Sequence, residues 1–268
     1  MNKPSYFFLL IAGSFLILVP NCAYAKDRGT NLWKGFYIGG NIGAGMGGNS
    51  NSTDLDGFNY FKDNEQPGEV TNVETDTAFI GGGQVGYNYL LNRWLIGIEA
   101  DFASFNFDAA KTPSSSKADW ASDTLVSVEM DWLATVRGRL GYTINHWLIY
   151  ATGGAAFSDG KYRNHDFCNN IEIGCGSGLI DAKGNFGTGW TVGGGVEFAL
   201  KGNWTAKAEY LFVGFDGEEY SGTANYLFKK PADFSFSASP TELNIIRVGL
   251  NYNFGELYNT STNASSLK

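Results

Sequence analysis

From Trp132 to Phe157 the chain reads WLATVRGRLGYTINHWLIYATGGAAF, two alternating runs joined at Thr143–His146. Tyr142 precedes the join, and Trp147 and Tyr150 follow it. In the first run Trp132, Ala134, Val136, Leu140 and Tyr142 share one parity, while Leu133, Thr135, Arg137 and Arg139 share the other. Period-two alternation makes a strand with two unlike faces. A face of Trp, Val, Leu and Tyr backed by two arginines fits poorly in a soluble sandwich, where apolar side chains pack inward. In a transmembrane barrel the order reverses, with apolar residues toward lipid and polar ones in the lumen.

The same alternation recurs along the chain. A first strand lies in WKGFYIGGNIGAGMGG, beginning at Trp33. Later strands are expected at about Thr77–Tyr89, Trp94–Phe107, Leu125–Tyr142, Trp147–Phe157, Gly187–Phe198, Trp204–Phe215 and Leu243–Phe254. Each has the roughly 9–11 residues that a tilted membrane crossing needs. Very short turns (Leu91–Arg93, Thr143–His146, Ala199–Asn203) alternate with long polar loops at Asn49–Asp76, Asp108–Asp123, Ser158–Phe186 and Asp216–Glu242. That is the organisation of an all-β, eight-stranded, antiparallel up-and-down transmembrane barrel. A tryptophan opens every upward strand (Trp33, Trp94, Trp147, Trp204), which predicts an aromatic belt at one interface. The glycine pattern Gly43–Gly48 matches a dinucleotide fingerprint letter for letter, but a polar loop follows where the fingerprint needs a helix.

Composition agrees with packed strands and tight turns: 36 glycines and 15% aromatics in 268 residues. Residues 1–25 read as a signal peptide, with Lys3, an apolar run at Tyr6–Val19 and the small-residue site Ala23-Tyr24-Ala25. The expected division is residues 1–25 as signal, 26–254 as barrel with four surface loops, and 255–268 as a polar tail. Without the signal, 18 basic residues face 27 acidic ones, a net charge of −9 that argues against a nucleic-acid partner. Cys168 and Cys175 are expected to form a disulfide, as an even pair at short spacing in an exported chain. Only His165 lies near them, so no metal site is expected, and no cofactor.

The segments WKGFYIGGNIGAG, GGGQVGYNYLLNRWLIGIEADF, WLATVRGRLGYTINHWLIYATGGAAF, GWTVGGGVEFALKGNWTAKAEYLF and IIRVGLNYNF resemble the small outer-membrane barrels of alpha-proteobacteria. That family is called outer-membrane immunogenic protein, porin-family or opacity-type surface antigen, and it is related to the OmpA-type barrel. The resemblance spans Trp33 to Phe254. It implies a Gram-negative outer-membrane location, periplasmic termini and exposed loops. Barrels of this kind end on an aromatic that directs assembly. Phe254 is that residue here, although 14 residues follow it.

The inward parity collects Glu99, Asp101, Arg137, Arg139, Glu197, Lys207, Glu209 and Arg247, four acids and four bases. Glu99 and Asp101 are expected to meet Arg137 and Arg139, and Glu209 to meet Arg247. Glu129 and Asp131 share the parity higher on their strand. Eight strands enclose a space that side chains about fill, so these charges are expected to plug the lumen. The function expected is a structural, surface-antigen barrel. A narrow porin-like channel is the alternative, and a surface haem-binding or adhesin protein a further one. An enzyme is not expected: the two histidines, His146 and His165, sit in a turn and a loop with no nucleophile beside them. The expected partners are outer-membrane lipids, the barrel-assembly machinery during insertion, and host surface molecules through the loops.

Overall fold

A computed structural model describes residues 30–47, 50–54, 70–73, 77–111, 125–167, 179–217, 219–225, 232–238 and 240–255. After a 3-10 turn at Thr30–Trp33 come twelve strands: β1 Gly35–Gly47, β2 Ser50–Asp54, β3 Val70–Val73, β4 Thr77–Leu91, β5 Trp94–Lys111, β6 Leu125–Ile144, β7 Trp147–Phe167, β8 Leu179–Ala199, β9 Trp204–Phe215, β10 Glu219–Asn225, β11 Ala232–Ala238 and β12 Thr241–Asn253. Eight of them close a ring in the order β1-β4-β5-β6-β7-β8-β9-β12, with β12 returning to β1. Every pairing in the ring is antiparallel, and all but the closure join ring strands that follow one another along the chain, β2 and β3 intervening between β1 and β4, and β10 and β11 between β9 and β12. A ring has no free edge, so every backbone donor at membrane depth finds a partner.

Alternation sets the two faces. On β12, Ile246, Val248 and Leu250 are exposed while Ile245, Arg247 and Asn251 are buried. The tight turns place Asn92 at φ 58° and Asn145 at φ 53°, with Gly202 at φ 72°. Asn and Gly are the residues that take this left-handed backbone at least cost. Trp94, Trp147 and Trp204 follow these turns and point outward at 55%, 46% and 47% exposure. Their rings pack against Tyr142, Phe198 and Tyr252 respectively, each on an adjacent strand, so three aromatic pairs mark this rim.

Trp33 is not part of that belt. It is 2% exposed and packs with Leu95, Leu148 and Tyr150 inside the mouth of the barrel. The expectation failed because Trp33 precedes β1 rather than opening it. The 3-10 turn and Gly35, at φ 109°, fold the segment under the mouth and send the indole inward.

The far end of the barrel departs further from the expected plan. The register slips between Ser104 and Phe107 on β5, between Glu129 and Leu133 on β6, and between Phe157 and Gly160 on β7. A bulge adds a residue and reverses the parity beyond it. Leu133 faces inward, and past the bulge so do Met130 and Val128, leaving Glu129 and Asp131 outside the lumen. Their expected inward placement is therefore wrong. Asp159 holds the bulge, its Oδ1 accepting the amide protons of Asp131 (3.0 Å) and Trp132 (3.2 Å).

Parts of the expected loops are strands. β7 and β8 continue to Phe167 and from Leu179, although Ser158–Phe186 reads as loop. Within the first and fourth loops, β10 pairs with the upper end of β8, β11 with β10, β2 with β11 and β3 with β2. The sheet thus rises above the belt region as a second tier. Its polar composition hid the strands, because the hydropathy contrast disappears where lipid no longer covers the outer face. Residues 1–25, the pair Cys168 and Cys175, and the tail beyond residue 255 lie outside the described residues.

Candidate functional site: the lumen charge network

The interior is stacked in three layers. At the mouth by the short turns sits the cap of Trp33, Leu95, Leu148 and Tyr150. At the opposite end Ile80, Phe105, Val128, Met130, Leu133, Phe186, Phe215 and Ile245 belong to one buried apolar cluster. Between them lie the eight charged residues, all within 6% exposure.

Glu99 is the hub. It accepts from Arg137 at very short range, from Tyr37 Oη at 2.6 Å, from Lys207 Nζ at 3.1 Å and from Arg139 Nη1 at 3.4 Å. Asp101 accepts from Arg137 Nη2 (2.8 Å), from Arg247 Nη1 (3.0 Å) and from the Thr135 hydroxyl (2.5 Å). Glu209 accepts from Arg247 Nε (2.6 Å), Tyr150 Oη (2.8 Å) and Arg137 Nη1 (3.1 Å). Glu197 takes Arg139, and also Thr205 Oγ1 at 3.3 Å and Asn251 Nδ2 at 3.4 Å. Gln84 donates to Asn251 Oδ1 (2.7 Å) and accepts from Asn41 Nδ2 (2.5 Å), so the network reaches a side chain on each of the eight ring strands. Arg139 is flanked by two tyrosine rings, its guanidinium 4.0 Å from the centroid of Tyr150 and 5.4 Å from that of Tyr37. Cation–π contact suits a guanidinium that has lost its water.

The neighbours expected from strand order meet: Glu99 with Arg137 and Arg139, Asp101 with Arg137, and Glu209 with Arg247. Asp101 and Arg139 are not paired with each other; Arg139 turns to Glu197 instead. Strand order alone shows nothing of contacts across the lumen such as Arg247–Asp101, Arg137–Glu209 and Lys207–Glu99. Tyr37, Tyr150, Gln84, Asn41 and Asn251 carry no charge but also enter the network, and their parity opposite lipid-facing neighbours marks them as inward. Tyr37 fits because Gly86 on β4 leaves the space: a Cβ there would lie 2.3 Å from the phenol oxygen. Phe254 directly follows the last ring strand, which ends at Asn253, and is exposed and edge-on to Tyr252, with its amide bonded to Phe36 O at 2.8 Å.

A buried charge is tolerable only when paired and hydrogen-bonded. Four acids against four bases, each ligated several times, meet that condition with no net charge left over. The donors and acceptors of the arrangement are engaged with one another. It fills space, closes the lumen and fastens the wall.

A family described as outer membrane protein beta-barrel domain matches residues 13–254. The chain belongs to this family. It is 34% identical over 247 residues to the 31 kDa outer-membrane immunogenic protein of Brucella melitensis, covering 91% of this chain and 93% of that protein. It is 27% identical over 198 residues to the 22 kDa outer membrane protein of Rhizobium leguminosarum, covering 73% and 71%. Among solved structures it is similar to the outer membrane protein OprG from Pseudomonas aeruginosa, at 15% identity and a TM-score of 0.46, covering 82% of this chain and 97% of that one. Membership in the outer membrane protein beta-barrel family, with the apolar outer wall and charged interior, makes this an integral protein of the Gram-negative outer membrane. The short turns then face the periplasm and the second tier faces the outside.

Proposed function

We propose that this barrel is a closed anchor that presents a folded surface tier, acting as a structural envelope protein and surface antigen rather than as a channel or an enzyme. The observation that carries this reading is the charge network itself, which draws a side chain from every ring strand into the lumen. The antigen role also draws on the similarity to a protein named as an outer-membrane immunogenic protein. Insertion proceeds through the barrel-assembly machinery with Phe254 as the terminal aromatic. Contact with host molecules belongs to the tier above the membrane, since the wall is committed to lipid and the lumen to itself.

Epitope tags test the presentation. One tag is inserted between Asn225 and Ala232 and another in the Asn145-His146 turn. The first should bind antibody on intact cells, and the second only after permeabilisation. Equal access of both tags on intact cells, or the reverse order, contradicts the proposal.

A further inference from the structure

The β9–β12 pair and the β10–β11 pair form one hairpin in one register. Phe215 faces Thr241, and four residues further along both strands Glu219 faces Ser237. Between these pairs the hairpin breaks on both strands at the same level, at Asp216 and Gly217 on one and at Pro240 on the other. Proline has no amide to give to a ladder, and glycine is the residue freest to turn. Gly189 faces Phe215, so the row continues on β8 at Thr188 and Gly187. All five of these residues are exposed.

The buried face changes parity across the row. On β8 Thr191 is buried below it and Phe186 above it; on the hairpin Thr241 is buried below and Ala238 above. A joint with a change of face therefore crosses three adjacent strands.

Above the joint the hairpin is lightly held. β10 meets β8 at Gly222–Asn225, and among the described residues Glu219–Ser221 pair with β11 alone. β11 meets β2 at Phe236–Ala238. The β7–β8 ladder, by contrast, resumes at Gly160–Phe186 after its bulge and runs on to Phe167–Leu179. Elements held by short ladders open locally at less than the cost of global unfolding. Ala238 ties the hairpin to the interior: it is 4% exposed and belongs to the same apolar cluster as Phe186, Phe215 and Leu243.

We propose that the β10–β11 hairpin is a flap. It pivots at Asp216–Gly217 and Pro240, draws Ala238 out and uncovers the outer end of the apolar layer. The lumen charges lie below the joint, so the flap opens while the lumen stays shut.

The test uses the refolded barrel with its native cysteines replaced by serine, checked for assembly by heat-modifiable gel mobility. A238C reports on the flap. A156C reports on the floor beside the charge layer, where Ala156 is fully buried opposite Thr135. Under native conditions a water-soluble maleimide should label A238C, while A156C stays unlabelled until the barrel unfolds. S237P removes an amide from β11 and should speed A238C labelling about tenfold, the effect of one ordinary hydrogen bond. P240A returns an amide to the pivot, and G217A narrows its freedom at a backbone angle outside the left-handed region. Each should slow labelling about threefold, and these two carry the test should S237P fail to assemble. In assembled protein, equal labelling of A238C and A156C overturns the flap. So does labelling of A238C only at the rate of unfolding, or a rate unmoved by P240A and G217A.

Discussion

At the scale of single residues, the energetics are set by what is buried and by how many partners it has. Arg137 contacts Glu99, Asp101 and Glu209, all inaccessible to solvent. R137M should therefore cost about 3–5 kcal/mol, because it strands buried carboxylates. Urea unfolding in detergent micelles, followed by intrinsic fluorescence, measures this. E129Q serves as the contrast: it breaks only the exposed pair with Arg163 and should cost less than about 1 kcal/mol. The four tryptophans read as one belt separate in the same kind of measurement. In single-tryptophan variants reconstituted with brominated lipid, Trp94, Trp147 and Trp204 should be quenched and Trp33 protected. A quenched Trp33 would place it outside the mouth, against the burial described above.

At the scale of elements, legibility in the sequence follows the lipid. Where one face meets hydrocarbon and the other meets the lumen, as in Val136-Arg137-Gly138-Arg139-Leu140, alternation is strong and the strand can be read residue by residue. Above the rim both faces tolerate polar residues, so Lys161–Asp166 reads as loop although it lies within β7. Bulges defeat the parity rule more sharply. One extra residue near Asp131 reverses the inward face of β6, and the sequence carries no hydropathy mark of it. The apolar outer core was hidden for a related reason, since a rule of polar lumens does not anticipate Leu211, Val213 and Phe215 facing inward. The charge network was more accessible: parity gave its eight ionic members, whereas the contacts across the lumen needed the closed ring. The strands of the outer tier give a prediction of their own. Ser237 on β11 pairs with Thr53 on β2. S237P should break this ladder and raise amide hydrogen exchange in Ser50–Asp54 while leaving β4 and β5 protected. Unchanged exchange in β2 would mean that the first and fourth surface segments are not joined there.

At the scale of the whole molecule, an aromatic-rimmed apolar wall holds the protein in the bilayer, and three stacked layers close it. The network joins side chains from all eight ring strands, so the wall and the plug stabilise each other. Loosening one charge pair is then felt around the ring. The sheet continues outward on β5, β6, β7 and β8, while β10, β11, β2 and β3 extend it from β8. The tier is thus built on the same strands that carry the lumen charges, which makes presentation depend on a well-fastened barrel. The most direct test of this account is single-channel recording of the purified, refolded monomer in planar bilayers. A closed lumen predicts no sustained conductance for the wild-type protein, with current appearing only when the plug is loosened, as in W33A combined with R137M. Large, steady open-channel current from the wild-type monomer would contradict it.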